Sequence, residues 1–145
     1  MPHVYRCHLR WSDMDIYGII NNVVYLRLLE EARVDLIFRL APANGDVLFR
    51  GGSVVVRQEI SYKRPLTHRH QPVDIEMWVT GLDSATVTIA YEVKDDGKVC
   101  AIASSTLAPF DYAKSRPRRL TDAETEFFER YLEVDHATAA YRSHR

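Results

Sequence analysis

Residues 11–33 read WSDMDIYGIINNVVYLRLLEEAR, and the character of the chain changes twice around this stretch. The residues that lead into it alternate between apolar and polar, which is the pattern of a half-buried strand. A turn follows in which two carboxylates, Asp13 and Asp15, precede Gly18. The segment after the turn is apolar over most of its helical circumference. The stretch therefore predicts a strand, a turn and a long, largely buried helix.

The helix start is where chemistry is expected. Asn21 and Asn22 directly precede Val23, and both are residue types that cap a helix N-terminus. The unpaired N–H groups of a helix end can stabilise an oxygen that gains negative charge, and a nearby carboxylate suits attack on a carbonyl. Asp, Gly and Asn are also ordinary turn and cap residues, so composition alone fits a structural turn equally well.

The order of the residues is more specific than their composition. It reads aromatic-x-Asp-x-Asp-x-x-Gly-x-x-Asn-Asn-x-x-Tyr and continues with Glu30, Ala32 and Arg33. This order resembles the signature of hot-dog-fold acyl-CoA thioesterases of the 4-hydroxybenzoyl-CoA thioesterase-like family. The resemblance covers roughly residues 3–110, and Tyr62 and Pro65 match the Tyr-x-x-Pro end of that family's second strand.

The resemblance implies roles for individual residues of the stretch. Asp15, the second acid, would be the catalytic carboxylate, and Gly18 would belong to the catalytic turn. The backbone N–H of Asn22 would polarise the thioester carbonyl. Asn21 and Tyr25 would contact the substrate.

The reaction implied by the resemblance is hydrolysis of an acyl-CoA to a free acid and CoA, with no metal or redox cofactor. Asp15 would act either as a nucleophile that forms an anhydride or as a general base on water, and the sequence leaves both open. The chain length or aromatic character of the acyl group also stays open. A non-catalytic acyl-CoA-binding or regulatory hot-dog domain is the alternative, against which Asp15 itself argues.

The phosphates of CoA need cations on a chain whose formal net charge is −1. Lys63 and Arg64, at a strand end, and Arg118 and Arg119, after the last strand, are the densest candidates, with solvated surface as the alternative for each. The same net charge offers no general attraction to nucleic acid or to an anionic membrane.

Other chemistries fit these residues less well. By resemblance, a hot-dog hydratase or dehydratase would carry His near the glycine, where this chain has Ile19 and Ile20. Many thioesterase relatives also have His after the glycine, and a Gly-Ile version is compatible with that family. The cluster His68-Arg69-His70 lacks a further ligand at metal spacing, which favours a solvated turn.

Length and composition indicate one globular domain. The 145 residues fit a single domain, which we assign to residues 1–135, with fraying expected over residues 136–145. Cys7 and Cys100 are expected to be buried free thiols. Neither a leader-like segment nor an apolar run of membrane length is visible, so we expect a cytoplasmic protein.

The periodicity predicts an α+β fold. A first strand contains Tyr5, Cys7, Leu9 and Trp11 on its inner side, and a helix runs from about residue 23 to 40. Strands follow at about residues 54–64, 73–82, 85–94 and 98–108. These elements predict an α+β layer architecture in which a five-stranded antiparallel sheet wraps around a long central helix, which agrees with the hot-dog fold that the resemblance implies. A short C-terminal helix is predicted from about Thr121, with Thr121 and Glu124 placed as a capping box.

Further expectations concern packing. A charged stripe along the helix is predicted from four residues at four-residue intervals: Arg27, Glu31, Asp35 and Arg39. Glu30 and Arg33 lie off this stripe, so they are expected to pair with each other at the edge of the core. Val55, Trp78 and Ile102 place apolar surface on the second face of the sheet. Because exposed apolar surface and unpaired sheet edges are usually covered by a second chain, we expect a homodimer or homotetramer.

Overall fold

The computed structural model describes residues 2–43, 45 and 47–133. In chain order its elements are β1 (His3–Cys7), a 3-10 turn (Trp11–Asp13), α1 (Asn22–Val34), β2 (Ser53–Tyr62), β3 (Val73–Leu82), β4 (Val87–Asp95), β5 (Lys98–Asp111), β6 (Arg116–Pro117) and α2 (Asp122–Glu129). Helical backbone continues after α1 through a wider π-helical segment, Asp35–Leu40, to Ala41–Ala43, which gives a central helix of 22 residues. The tail predicted to fray, residues 136–145, lies outside the described residues.

The strands form one antiparallel sheet in the order β1-β3-β4-β5-β2, and β6 extends the end of β5. Bulges interrupt the register at Val55/Arg57 and at Val79/Gly81, and such bulges increase the twist of a sheet. The β4–β5 hairpin turns through Asp96 and Gly97, both at positive φ, as a type I′ turn requires. The predicted α+β fold, a curled five-stranded sheet around a long helix, is confirmed.

The central helix packs into the curve of the sheet through residues that recur at three- and four-residue spacings. The buried set on this face is Tyr25, Leu28, Leu29, Ala32 and Leu36. Each fully buried leucine contributes about 1.5–3 kcal/mol relative to an exposed one. On the opposite side Arg39 Nη2 lies 3.9 Å from Glu31 Oε2, and Arg39 Nη1 lies 3.7 Å from Asp35 Oδ1. These ion pairs agree with the predicted charged stripe.

The second face of the sheet differs from the expectation. Trp78 is 1% exposed and Ile102 is 5% exposed within the single chain, so neither supplies the open apolar surface that was predicted. Val55 is 46% exposed. The open apolar surface therefore lies along β2, which is an edge strand.

The first strand is shorter than predicted. Cys7 and Leu9 are buried as expected, but Trp11 is 75% exposed because the strand ends at Cys7 and Trp11 opens the 3-10 turn. Cys7 and Cys100 are both buried free thiols, as predicted. Burial raises the pKa of both thiols.

The predicted pairing of Arg33 with Glu30 is wrong. Arg33 follows the buried Leu29 by one helical turn, so its side chain enters the core face. Its Nη1 donates to Tyr91 Oη and to Ser105 Oγ, each at 3.3 Å. The side chain of Arg33 is therefore held by the sheet and not by its helical neighbour.

The C-terminal helix α2 begins with the predicted capping box. Thr121 Oγ1 accepts the Glu124 N–H at 3.1 Å, and the Glu124 carboxylate accepts the Thr121 N–H at 2.9 Å. Glu124, which is 1% exposed, also accepts from the Phe49 N–H and from both terminal nitrogens of Arg118 at 2.9 and 3.0 Å. One carboxylate thus ties α2 to the segment that precedes β2.

Candidate active site

The loop between β1 and α1 folds back on itself as a small hairpin. The Asp15 N–H donates to Ile19 O at 2.8 Å, and the Asn21 N–H donates to Asp13 O at 3.0 Å. The Gly18 N–H closes the turn onto Asp15 O at 3.1 Å, with Gly18 at a φ of 78°, which favours glycine. The hairpin places Asp15 opposite Ile19 and delivers the chain to the start of α1.

Asp13 anchors this hairpin to the helix. It is 2% exposed, and its oxygens accept from the Arg10 N–H at 2.8 Å, from the Arg10 guanidinium and from Arg27 Nη2 at 2.8 Å. Burial alone would raise the pKa of Asp13, but the hydrogen bond from the Arg10 N–H and the positive charges of Arg27 and Arg10 lower it. A carboxylate with all these donors is a structural group, which agrees with its sequence-based assignment to the turn.

Asp15 is held more loosely. It is half-buried, and its Oδ1 accepts the Tyr17 N–H at 2.8 Å, which fixes the side chain against the turn. Its Oδ2 accepts no hydrogen bond from the residues that the structure describes. Of the two acids in the motif, Asp15 is therefore the one with an oxygen available for chemistry.

The N-terminus of α1 leaves one backbone donor available. Asn21 is the N-cap, with its Oδ1 accepting the Val23 N–H at 3.0 Å and its carbonyl accepting the Val24 N–H at 2.9 Å. The Asn22 N–H, the first of the helix, has no acceptor among the described residues. This donor carries the partial positive charge of the helix end. The predicted cap is confirmed, with the helix beginning one residue earlier than expected.

A cleft of about 240 Å³ opens at this helix end. Its walls bring together four of the residues predicted for the site with four others: Ile19, Ile20, Asn22, Tyr25, Tyr62, Lys63, Arg64 and Pro65. Asp15 and Gly18 are not among these wall residues, but the hairpin binds Asp15 to Ile19, which is one of them.

Tyr62 was recognised as part of the motif but not as a site residue. Its hydroxyl donates to Asn22 O at 3.1 Å, and its ring packs edge-on against Tyr25 with 5.1 Å between ring centroids. Burial, followed by the nearby Cys100 and Tyr62, raises the pKa of Tyr25 to about 12, so Tyr25 is neutral at physiological pH. The Tyr-x-x-Pro pattern was the signal that could have assigned Tyr62 to the cleft.

The structure separates the two predicted basic pairs. The N–H groups of Lys63 and Arg64 donate to Cys100 O at the start of β5, whereas the Arg118 N–H donates to Pro109 O near its end. These contacts lie about 30 Å apart along the strand. The Arg118 guanidinium also donates to the Glu124 carboxylate, and these hydrogen bonds raise the pKa of Arg118. Lys63 and Arg64 are thus the pair at the cleft within one chain.

Within residues 2–43, 45 and 47–133, no group of three or more His, Cys, Asp or Glu side chains is placed to hold a metal ion. In the same part of the chain, no helix is both long and apolar enough to cross a membrane.

Comparison with known structures identifies proteins of the same fold. A CoA- and Zn-complexed thioesterase from Thermus thermophilus is 27% identical, with a TM-score of 0.73 over 86% of this chain and 95% of the other. A thioesterase superfamily protein from Jannaschia sp. CCS1 is 22% identical, with a TM-score of 0.80 over 91% and 94%. A predicted thioesterase from Bacillus stearothermophilus is 22% identical, with a TM-score of 0.77 over 92% and 98%.

Comparison with protein families assigns the chain to a superfamily. No protein with a curated description matches it. The family model of the thioesterase-like superfamily matches residues 9–139, which include the Asp15 hairpin, the central helix and all strands from β2 onward. The chain has the hot-dog fold of its structural neighbours and belongs to the thioesterase-like superfamily.

Proposed function

We propose that the protein hydrolyses acyl-CoA thioesters to a free carboxylic acid and CoA. The observation that carries this proposal is the arrangement at the start of α1. There Asp15 has one carboxylate oxygen that accepts no hydrogen bond from the described residues, and its hairpin leads to the start of α1. At that helix start the backbone N–H of Asn22 has no acceptor among the described residues. The relative complexed with CoA supports CoA as the carrier of the acyl group.

In the proposed reaction the thioester carbonyl oxygen accepts a hydrogen bond from the Asn22 N–H. As the carbonyl carbon is attacked, this oxygen gains negative charge, and the helix end stabilises that charge. The attacking atom is either Asp15 Oδ2, which forms an anhydride that water then opens, or a water whose proton passes to Asp15. In both routes the C–S bond breaks and CoA leaves as the thiolate.

The neighbouring residues support this arrangement in different ways. Gly18 supplies the positive φ that the hairpin turn uses, and Asn21 occupies the cap, so both position the reacting groups. Ile19 and Tyr25 border the cleft with largely apolar surface. Such surface excludes water from the carbonyl and strengthens its hydrogen bond to the helix end.

The direct test is a hydrolysis screen over short, long and aromatic acyl-CoAs, with release of free thiol as the readout. Turnover of at least one class supports the proposal. Binding of acyl-CoA without thiol release from any class would replace it with the alternative, a non-catalytic acyl-CoA-binding or regulatory domain.

We assign the CoA phosphates to Lys63 and Arg64 because these cations border the cleft. Changing both to Ala should raise KM several-fold at low salt and make KM less sensitive to ionic strength, with kcat nearly unchanged. Steady-state kinetics at two salt concentrations measures this. Arg119→Ala, at the far end of β5, is the matched control. A rise in KM for the control alone would contradict this assignment and indicate that the second predicted pair, Arg118 and Arg119, binds the phosphates.

We propose that the protein forms a homodimer or homotetramer through β2. This long edge strand exposes Val55 and Val56 at 46% and 56%, and the adjoining helix exposes Val23 at 73%. An uncovered edge of this kind is a template for pairing with a second copy. Light scattering at micromolar concentration should therefore give at least twice the chain mass of 16.7 kDa. An active protein with the mass of one chain would contradict the assembly.

A further inference from the structure

One residue at the cleft, Tyr62, has no role in the proposed reaction. It is the last residue of β2, and its hydroxyl donates to the carbonyl of Asn22, the first residue of α1, at 3.1 Å. The two residues lie 40 positions apart, so this bond is a tertiary contact between the sheet and the helix. It is made within one chain, and it reaches the residue whose N–H is assigned to the substrate carbonyl.

The ring of Tyr62 is held as well as its hydroxyl. It packs edge-on against Tyr25, with 5.1 Å between the ring centroids and 81° between the ring planes. Tyr25 follows Asn22 by three residues, so both lie on the same side of the helix, and Tyr25 itself is 2% exposed. The packing of the ring on a buried neighbour therefore directs the hydroxyl at the helix start.

The bond from Tyr62 completes the restraint on the two peptide groups that meet at Asn22. The peptide between Asn21 and Asn22 is held at its carbonyl, which accepts the Val24 N–H at 2.9 Å, and its N–H is the proposed donor to the substrate. The next peptide is held at its N–H, which belongs to Val23 and donates to Asn21 Oδ1 at 3.0 Å. Its carbonyl accepts from Tyr62, so the backbone of Asn22 is fixed on both sides.

The segment after Tyr62 is itself anchored. The two backbone N–H groups that follow it donate to Cys100 O at 2.8 and 3.1 Å, which binds the segment to β5. A little further along, Leu66 O accepts the Ile20 N–H at 2.6 Å and holds the chain that enters the helix. The Tyr-x-x-Pro pattern thus places a side-chain donor before the proline and a backbone acceptor after it, and both contact the helix entry.

Such support matters because of what the helix start is proposed to do. A group that stabilises a transition state must be held within about 0.5 Å and 10–20° of the productive geometry. Helix ends fray, and the first N–H groups have no partner within the helix. A donor at this position therefore depends on contacts from outside the helix to stay aligned.

We propose that Tyr62 is a positioning residue, whose hydroxyl holds the first turn of α1 so that the Asn22 N–H stays directed at the thioester carbonyl. The inference rests on the proposed thioesterase activity and adds a residue that acts on the chemical step through the backbone. The carbonyl oxygen gains its negative charge only as the bond to the attacking atom forms. Misalignment of the donor therefore affects kcat more than KM.

The test is Tyr62→Phe, which removes the hydroxyl and keeps the ring against Tyr25. With the acyl-CoA that is hydrolysed fastest, kcat should fall about 10-fold, which is less than the 10²- to 10³-fold or so lost when an oxyanion donor is removed outright. KM should stay within about two-fold. Hydrogen exchange of the Val24 amide, measured by NMR, should become several-fold faster because the first turn opens more often.

Tyr112→Phe is the matched control. Tyr112 Oη donates to the carbonyl of Ser53, the first residue of β2, at 3.2 Å. The control therefore removes the same kind of bond at the opposite end of the same strand. It should leave kcat, KM and the exchange of the Val24 amide close to the wild-type values.

Three results would overturn the proposal: a kcat for Tyr62→Phe close to wild type, a rise in KM without a fall in kcat, or equal losses in Tyr62→Phe and the control. Tyr62→His, whose shorter ring cannot reach the Asn22 carbonyl, should repeat the fall in kcat and replaces Tyr62→Phe if that variant does not fold. If the wild type hydrolyses no acyl-CoA, the proposed function fails separately, and Val24 exchange decides. Exchange that is no faster in Tyr62→Phe than in the control would then overturn the positioning role.

Discussion

Asp15→Asn should reduce kcat for acyl-CoA hydrolysis by about 10²- to 10⁴-fold, the usual range for losing a general base, with KM within a few-fold. The amide keeps the size of the side chain and an oxygen for the Tyr17 N–H. It cannot act as the nucleophile or take the proton of water. Steady-state measurement of thiol release, with circular dichroism to verify the fold, gives the result.

Asp13→Asn is the matched control for this substitution, because it makes the same chemical change two residues away. Asp13 is buried and forms ion pairs with Arg10 and Arg27. Asp13→Asn should therefore lower the free energy of unfolding, while kcat of the protein that remains folded should change little. The assignment within the motif would be reversed if Asp15→Asn kept near-normal turnover and Asp13→Asn did not.

Glu124→Ala should lower the free energy of unfolding by about 3 kcal/mol, the lower end of the range for breaking a buried ion pair. The substitution leaves the Phe49 N–H without its acceptor and removes the anion from Arg118, whose side chain is 23% exposed. It also removes half of the capping box of α2. Such a loss is a large share of the 5–15 kcal/mol typical of a domain.

Urea unfolding measures this loss as a lower midpoint with an unchanged slope. Arg119→Ala is its control, since Arg119 is exposed and contributes only a backbone carbonyl to Arg118. Arg118→Ala should resemble Glu124→Ala in stability, because it breaks the same pair. An unfolding midpoint for Glu124→Ala equal to the wild type would contradict the structural role of this carboxylate.

The same carboxylate makes stability depend on pH. Burial alone would raise the pKa of Glu124, but hydrogen bonds from Arg118 and from the backbone of Thr121 and Phe49 lower it below its usual 4.5 in the folded chain. A lowered folded-state pKa contributes stability that is complete above the unfolded-state value and is lost as pH falls through the folded-state value. We therefore expect the urea concentration at the unfolding midpoint to decrease as the pH falls below about 4.5. The midpoint of Glu124→Ala should decrease less over the same pH range.

Local patterns in the sequence predicted local structure well. Asn21 caps α1, and Thr121 and Glu124 form the capping box of α2, because each involves residues two or three positions apart along the chain. The strand positions from β2 onward were predicted for a similar reason, since side-chain alternation is a property of one segment at a time. The structure places Asn22 and Tyr25, which were named from the motif, at the same cleft as Lys63 and Arg64, which were named from local charge density.

Contacts between distant segments were not predictable in this way. Arg33 binds Tyr91 and Ser105, which lie 58 and 72 positions away, so the helix sequence alone suggested Glu30 instead. Arg118 was predicted to bind a CoA phosphate, and its ion pair with Glu124 was missed because the pair depends on the path of the chain between the two residues. Trp78 and Ile102 looked open because alternation shows which face a residue occupies and not what covers that face.

The proposed donor to the substrate carbonyl is a main-chain group, and this affects how the site tolerates substitution. Replacing Asn22 by alanine, or by most other residues, leaves the same hydrogen in the same place, so a scan of side chains would overlook it. Proline is the exception, because it has no N–H yet suits the first position of a helix. The backbone of Asn21, at φ −62° and ψ 139°, is already a conformation that precedes proline comfortably. Asn22→Pro is therefore the substitution at this position that removes the proposed donor while it keeps a residue suited to the start of the helix.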